Sequence, residues 1–208
     1  MKTTFQKSIL ALTLTAGLLS LGGCFPLMVG GAVTGALVAS DRRTSGTVVE
    51  DNAIQLKARN RIEDALGERA HINTTSYNRQ LLLTGEVPSE QDKQLAEKAA
   101  SGVENLRNIV NELAVLGNAT LTQRSSDALV TSRVKANLFD AKDLFANAFK
   151  VTTERGTVYL MGRVTQREAN RATEVVSGTS GVQRVVRILE IISEDELANM
   201  LPAPDSKK

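Results

Sequence analysis

The chain has 208 residues but only one cysteine, one histidine and no tryptophan. A single cysteine cannot form an internal disulfide bond, and a free exposed thiol fares poorly outside the cytoplasm. No group of His, Cys and acidic residues has the spacing of a metal site. Five phenylalanines and two tyrosines are poor material for a sugar-binding platform or for stacking bases. These shortages argue against an enzyme, a cofactor, a small-molecule substrate and a nucleic-acid partner.

The lone cysteine, Cys24, follows an N-terminal segment that is typical of secretion. Lys2 and Lys7 supply positive charge before an apolar run over residues 9–21, and two glycines separate that run from the cysteine. The run is short for a transmembrane helix. The segment therefore predicts a signal peptide over residues 1–23.

The four residues Leu21-Gly22-Gly23-Cys24 resemble the lipobox of bacterial lipoproteins. The resemblance implies that the Cys24 thiol receives a diacylglyceryl group, that cleavage precedes Cys24 and that the new amino end is acylated. Phe25 stands where lipoproteins kept in the inner membrane often carry Asp, which points to the outer membrane. One acyl chain anchors a protein only marginally, at about 0.8 kcal/mol per buried methylene, so several chains on Cys24 would hold it firmly.

The segments around the anchor are expected to lack a packed core. Residues 25–40 are apolar and rich in small side chains, and they form a flexible tether, a segment along the membrane interface or a packing face for a partner helix. Asp41 to Glu50 is predicted to be a polar linker, so that residues 24–50 are anchor and linker together. Residues 193–208 are predicted to be a flexible tail after one last helical turn.

One domain occurs twice in the sequence. The run Leu81–Val87 matches Val158–Val164 at a spacing of 77 residues. Flanking positions match at a spacing of 76: Asp51, Ile54, Ala58 and Ile62 with Asp127, Val130, Val134 and Leu138, and Leu106, Ile109, Val110 and Leu113 with Val182, Val185, Val186 and Leu189. Two copies are too few for a solenoid, so each copy must bury its own core. The predicted domains are residues 51–116 and 127–192, with a linker over 117–126.

Each copy predicts the order helix–strand–strand–helix–strand. In the first copy a helix capped by Asp51 carries apolar residues at every fourth position, a hairpin turns at Asn78-Arg79, and a second helix (89–101) precedes a last strand (106–116). In the second copy Thr165 to Glu168 is a capping box at the start of the second helix. The fold class is α+β, with two tandem domains of a three-stranded mixed sheet packed on two helices. Three glycines are expected to be structural, namely Gly85, Gly162 and Gly181; we expect the two within strands to make room for a helix or a bulge.

These features resemble the BON-domain family, which has the αββαβ order, a glycine on a strand and a Gly-Val pair before the last strand. Gly181-Val182 matches that pair, whereas the first copy has Asn105-Leu106. Asp41–Gly46, Val151–Thr153 and Leu160–Gly162 are similar to the outer-membrane lipoproteins that carry two BON domains. The resemblance runs from the signal peptide to Ile192.

The resemblance implies a periplasm-facing, non-catalytic lipoprotein of the outer membrane that supports envelope integrity and binds anionic phospholipid. The implied binding surface is the first helix of the second domain. Carried over to this sequence, and with the neighbouring Lys135 added for its charge, that surface consists of Leu129, Ser132, Arg133, Lys135, Ala136 and Asn137.

The charges support an anionic partner for the second copy. Residues 51–116 hold 8 basic and 10 acidic residues, and residues 127–191 hold 10 basic and 7 acidic residues. The mature chain as a whole is neutral, because residues 1–23 remove two lysines and no acid from 25 basic and 23 acidic residues. Leu129 lies off the predicted core stripe, so it either faces a membrane or packs against the other domain.

An alternative function remains open for the first copy. It is acidic and lacks the Gly-Val pair, so it would act as an adapter that docks a protein of the outer-membrane assembly or division machinery, with an unpaired edge strand as one docking element. The only histidine, His71, precedes a strand and is predicted to be a plain surface residue.

Overall fold

A computed structural model describes residues 41–200. The first copy contains α1 (Ser45–Leu66), a 3₁₀ turn (Gly67–Arg69), β1 (His71–Tyr77), β2 (Gln80–Val87), α2 (Glu90–Ser101), β3 (Asn108–Asn111) and β4 (Ala114–Val115). The second copy contains α3 (Leu121–Asp140), a 3₁₀ turn (Ala146–Ala148), β5 (Phe149–Glu154), β6 (Thr157–Thr165), α4 (Gln166–Ser177) and β7 (Arg184–Ile192), and α5 (Glu194–Met200) follows it.

The two sheets share one topology. In the first, β1 is antiparallel to β2, and β3 and β4 both run parallel to β2, at its beginning and at its end. Strands β3 and β4 are therefore two pieces of one interrupted strand. In the second, β5 is antiparallel to β6, and β7 runs parallel to β6 without a break. The predicted order of elements and the α+β fold class are therefore confirmed.

Alternation along the central strands puts one face of each sheet under the helices. The first core gathers the apolar stripe of α1, the inward side chains of β2 and small residues of α2: Ile54, Ala58, Ile62, Leu66, Leu81, Leu83, Val87, Ala96 and Ala100. The second core repeats the plan with Val130, Val134, Leu138, Val158, Leu160, Val164, Ala169, Ala172 and Val176. Each copy therefore buries its own core, as the repeat required.

The faces of the two sheets that the helices leave bare pack against each other. Leu82, between the inward-facing Leu81 and Leu83, lies in one buried cluster with Tyr77, Tyr159, Met161 and Ile188. The layers are therefore helices, sheet, sheet and helices. Because the shared cluster is buried between the sheets, residues 41–200 lie in a single compact unit.

Asp51 does not cap a helix, contrary to the prediction. Helix α1 begins about two turns earlier than predicted, with Thr44 as its N-cap, so Asp51 lies inside the helix. Its buried carboxylate accepts hydrogen bonds of 2.7 Å from the backbone N–H groups of Asn78 and Arg79 and from the hydroxyl of Ser76. Inside a helix the backbone N–H groups are already bonded to carbonyl groups, so the side chain of Asp51 is not needed as a cap and can bind the hairpin.

Asp127 makes the same connection in the second copy. Its carboxylate accepts hydrogen bonds of 2.8 and 2.9 Å from the backbone N–H groups of Arg155 and Gly156. The first residue of each turn has a φ of 50°, and the second a φ of 64° or 73°. These left-handed conformations expose adjacent N–H groups on one side of the turn, and the repeated aspartate binds both of them.

The strand glycines make room for neighbouring backbone, Gly85 for strand β1 and Gly162 for the end of the 3₁₀ turn that precedes β5. A Cβ on Gly162 would lie 2.5 Å from the carbonyl oxygen of Ala148, and a Cβ on Gly85 would collide with the carbonyl of His71. Gly181 has a φ of +95°, and Asn105 at the matching position also adopts a positive φ, of 61°. The missing Gly-Val pair therefore leaves the turn conformation left-handed, because Asn tolerates it better than other side chains do.

The predicted linker before the first copy is folded. The segment Asp41–Arg43, called here the arginine segment, precedes α1 and contacts both copies. Arg42 donates two hydrogen bonds of 2.7 Å to the carboxylate of Glu168, the capping-box residue of α4. Arg43 pairs with Asp51 at 2.7 Å, and its guanidinium lies 4.2 Å from the ring centroid of Tyr77. The segment joins α1 to the second copy.

The other two predicted irregular segments are also partly helical. Residues 121–126, predicted to belong to a linker, form the first turns of α3. Residues 194–200 form α5 where one last helical turn was predicted before the tail; in this helix Leu197 is buried and Glu196 pairs with Arg163.

Candidate functional site

Helix α3 has apolar residues on two sides, a buried stripe that faces the core and a second set that is exposed to solvent. Val130, Val134 and Leu138 are buried at successive i+4 positions, which directs Leu129 and Phe139, just before and just after this stripe, away from the sheet. Leu129 is 59% exposed and Phe139 is 71% exposed. At 100° per residue these two lie within 80° of each other around the helix axis, on the solvent side.

All six residues of the predicted surface lie on this exposed part of α3. Ser132 and Ala136 fall between Leu129 and Phe139 around the helix, and Arg133 and Lys135 flank them on opposite sides. Asn137 lies nearest to the fold and donates a hydrogen bond of 2.9 Å to the hydroxyl of Thr179. The exposure of Leu129 contradicts the alternative in which that side chain packs against the other domain.

Phe139, the largest exposed apolar residue of α3, was not among the predicted surface residues. The signal was present, because the stripe that ends at Leu138 leaves no place in the core for the next residue. Lys142 lies beyond the end of the helix with its ammonium 5.9 Å from the centroid of the Phe139 ring. The C-terminal end of the exposed face of α3 therefore carries an aromatic side chain, Phe139, with the ammonium of Lys142 beside its ring.

The repeat supplies an internal comparison for the cations of α3. Arg133 and Lys135 correspond to Lys57 and Arg59 of α1 at the spacing of 76. Lys57 lies 3.5 Å from Glu104, and Arg59 lies 3.8 Å from Glu63.

No acidic partner of Arg133 or Lys135 is found among the described residues. Phe139 occupies the position that corresponds to Glu63, the acid that pairs with Arg59 in α1. The two helices share their core stripe, but they differ in the charge that they leave available for a partner.

The junction of the two copies contains a second polar cluster. His71, predicted to be a plain surface residue, is partly buried, and its Nδ1 atom lies 3.2 Å from the carboxylate of the fully buried Glu86. Arg155 donates to the same carboxylate at 3.2 Å. Glu154 accepts a hydrogen bond of 2.9 Å from the side chain of Asn73, and its pKa is raised because it is buried.

A lysine also crosses the junction. The ammonium of Lys150, on β5, donates to the carbonyl of Ser76 at 3.0 Å and to the side-chain oxygen of Gln55 at 3.3 Å. Burial lowers the pKa of Lys150, and the nearby charge of Arg43 lowers it further. The contact joins the second sheet to α1 of the first copy.

Comparison with known proteins shows one family for both copies. The BON domain matches residues 50–117 and again residues 126–192. The chain belongs to the BON-domain family. The outer membrane lipoprotein DolP of Haemophilus influenzae is 37% identical over 174 residues, which cover 83% of this chain and 90% of that protein.

Two further relatives cover most of the chain. The 21 kDa hemolysin of Actinobacillus pleuropneumoniae is 32% identical over 154 residues, which cover 73% of this chain and 79% of that protein. Osmotically-inducible protein Y of Escherichia coli is 28% identical over 159 residues, with coverages of 73% and 77%.

The relationship to the lipoprotein confirms the predicted location, lipid-anchored at the outer membrane. Cys24 lies outside the described residues, so its acylation stays a prediction, as do the roles of residues 25–40. Between residues 41 and 200 no helix has both the length and the apolar character needed to cross a membrane.

Proposed function

We propose that this BON protein is a non-catalytic envelope protein whose second BON domain binds anionic phospholipid through α3 and thereby supports outer-membrane integrity. One observation carries the proposal. On α3 exposed apolar side chains, Leu129 and Phe139 among them, occur together with two cations, Arg133 and Lys135, that have no acidic partner in the described part of the chain.

The arrangement suits a helix that lies on a membrane surface. Leu129 and Phe139 are about 15 Å apart along the helix axis, at 1.5 Å per residue, so both reach the acyl boundary when the axis is parallel to the bilayer. Arg133 and Lys135 then lie at the depth of the headgroups, where each basic residue contributes about 1 kcal/mol at an anionic surface. The acyl anchor supplies the first attachment, and α3 supplies a second one that depends on lipid charge.

The test measures binding of residues 41–208, without signal or anchor, to vesicles by sedimentation. We expect binding to anionic vesicles that falls with added salt, and none to neutral vesicles. The double variant Arg133→Gln, Lys135→Gln should weaken binding by about thirtyfold, since two contributions of about 1 kcal/mol are lost. Phe139→Ser should weaken binding without changing its salt dependence.

The repeat provides the matched control, the double variant Lys57→Gln, Arg59→Gln on α1. It changes net charge by the same amount at the corresponding positions and should leave binding unchanged. If both double variants weaken vesicle binding equally, binding depends on net charge and not on α3. If the unsubstituted protein does not bind at either salt concentration, the acyl chains supply all membrane affinity, and the proposal is wrong.

A second function, docking of a protein partner through the first BON domain, is favoured by the exposed side of α1. Val49 and Leu56 are exposed and lie seven residues apart, on one side of the helix, while the neighbouring cations are paired with acids. An apolar face without free positive charge suits a protein better than an anionic bilayer. Photo-cross-linking from Leu56 in cells should yield a discrete protein adduct, and lipid adducts alone would contradict docking.

A further inference from the structure

The junction of the two BON domains brings together three side chains that are far apart in the sequence. His71 begins β1, Glu86 is its cross-strand partner on β2, and Glu154 ends β5 in the second domain. One ligand atom from each of the three lies within 4.8 Å of the other two. An imidazole nitrogen and two carboxylate oxygens therefore converge on one point. Sequence spacing could not show this, because the three residues come from three strands in two domains.

We propose that His71, Glu86 and Glu154 bind one divalent transition-metal ion, and that Zn²⁺ is the ion that fits this ligand set. Zn²⁺ binds imidazole nitrogen and carboxylate oxygen at about 2.0–2.2 Å, which places neighbouring tetrahedral ligand atoms about 3.4 Å apart. The Nδ1 atom of His71 and the Oε2 atom of Glu86 are 3.2 Å apart, so this pair already has the required spacing. Glu154 has to approach by up to about 1.4 Å, a shift within the reach of a side-chain rotation.

Both carboxylates also accept hydrogen bonds from groups outside the three proposed ligands, as metal-ligating carboxylates commonly do. The second oxygen of Glu86 accepts from Arg155 at 3.2 Å, and its Oε2 atom also accepts the N–H of Ala119 at 3.0 Å. Glu154 accepts from the amide of Asn73 at 2.9 Å. Such outer contacts fix the orientation of ligating carboxylates.

The local charge favours a cation. Glu86 is 0% exposed, and Arg155 is its only cationic ion-pair partner apart from His71 among the described residues. With Glu154 the cluster has two carboxylates and one arginine, an excess of one negative charge. Arg124 and Asp127 line the cavity beside the cluster and offset each other.

An entry path is also present. A cavity of about 450 Å³ is lined by His71, Asn73 and Glu154 and opens to solvent. With three protein ligands the fourth position would belong to a water molecule that faces this cavity. Because two ligands come from one domain and one from the other, a bound ion would cross-link the domains, and it would raise the resistance of the pair to unfolding.

The test uses the full-length lipoprotein purified in detergent without a histidine tag. Equilibrium dialysis against ZnCl₂ should give about one ion per chain, and Co²⁺ should give the visible absorption of a tetrahedral nitrogen–oxygen site. His71→Gln and Glu154→Gln should each lower the affinity for Zn²⁺ at least about tenfold. The melting temperature should rise with Zn²⁺ in the unsubstituted protein and not in either variant.

Glu63→Gln is the matched control, because Glu63 lies in the neighbouring cavity beside His71 but outside the cluster. It should retain Zn²⁺ binding. Absence of Zn²⁺ uptake by the unsubstituted protein would overturn the proposal and leave the cluster as a hydrogen-bonded junction. Unchanged affinity in both His71→Gln and Glu154→Gln would overturn it as well, since the ion would then bind elsewhere on the chain.

Discussion

Loss of Arg42 should uncouple the arginine segment from the second BON domain at a large cost in stability. The side chains of Arg42 and Glu168 are only 7% and 4% exposed, and two hydrogen bonds of 2.7 Å join them. In Arg42→Ala the carboxylate of Glu168 stays buried and keeps only the N–H of Thr165, at 3.0 Å. A buried charge that loses its partner is far more costly than a broken surface pair.

The magnitude follows from the geometry. Removal of one partner of a buried ion pair typically costs 3–5 kcal/mol, and the remaining hydrogen bond puts this case near the lower end, at about 3 kcal/mol. With a urea dependence of about 2 kcal/mol/M, the unfolding midpoint should fall by about 1.5 M. Glu168→Gln in the same background should recover part of the loss, because it removes the orphaned charge and keeps the side-chain volume.

Urea unfolding of residues 41–208, followed by circular dichroism, measures both effects. The four proteins of the double-mutant cycle should give a coupling free energy of at least about 1 kcal/mol between Arg42 and Glu168. Arg171→Ala, which removes exposed ion pairs with Asp143 and Glu174, is the control and should leave the midpoint unchanged. A change of less than about 0.5 kcal/mol in Arg42→Ala would refute the argument, because the arginine segment would then not be held by the second domain.

Three further predictions concern the same fold. Burial alone would raise the pKa of Glu168, but hydrogen bonds from Arg42 and Thr165 outweigh burial and lower the pKa below 4.5. The ionised Glu168 therefore stabilises the fold at neutral pH, and this stabilisation should be lost as the pH falls below 4.5. Urea midpoints at pH 7 and pH 3 should show a smaller loss of stability in Glu168→Gln. Asp127→Asn should destabilise the protein by about 2 kcal/mol, because an NH₂ group replaces one of the two carboxylate oxygens that accept the turn N–H groups of Arg155 and Gly156. Asp64→Asn, at an exposed position, should have little effect on the urea midpoint. Gly162→Ala should cost about 2 kcal/mol or more in thermal unfolding, because its Cβ would meet the backbone of Ala148, while Gly178→Ala, with no neighbour inside 3.6 Å, should be tolerated.

The order of elements and the two cores could be predicted because they depend on local patterns. Spacing of four residues identifies the helical stripes, and alternation identifies the inward face of β2 and β6. The capping box at Thr165 was readable for the same reason, and the structure has both of its hydrogen bonds. The start of α1 was missed because Asp51, an acceptable N-cap by residue type, resembles the start of a helix and in fact binds the hairpin.

The junction between the domains could not be predicted because no local pattern encodes it. Leu82, Tyr159 and Met161 alternate with the core residues, so in the sequence they appear as apolar residues on a solvent-facing side of the sheet. Their number was the one available signal, since an exposed sheet face is normally polar. The polar residues of the junction come from both copies and from the arginine segment, and only the folded chain brings them together.

The order of the layers makes the two proposed functions compatible. Because the bare faces of the sheets are occupied by each other, about 10 Å apart as in other stacked sheets, α1 and α3 must lie on the outer sides of the unit. The duplication thus left two helices with the same core stripe in separate surroundings, free to diverge. In α1 Lys57 and Arg59 are paired with Glu104 and Glu63, and in α3 the position matching Glu63 is the exposed Phe139. One protein can therefore contact an anionic membrane through one domain while the other domain remains accessible to a protein partner.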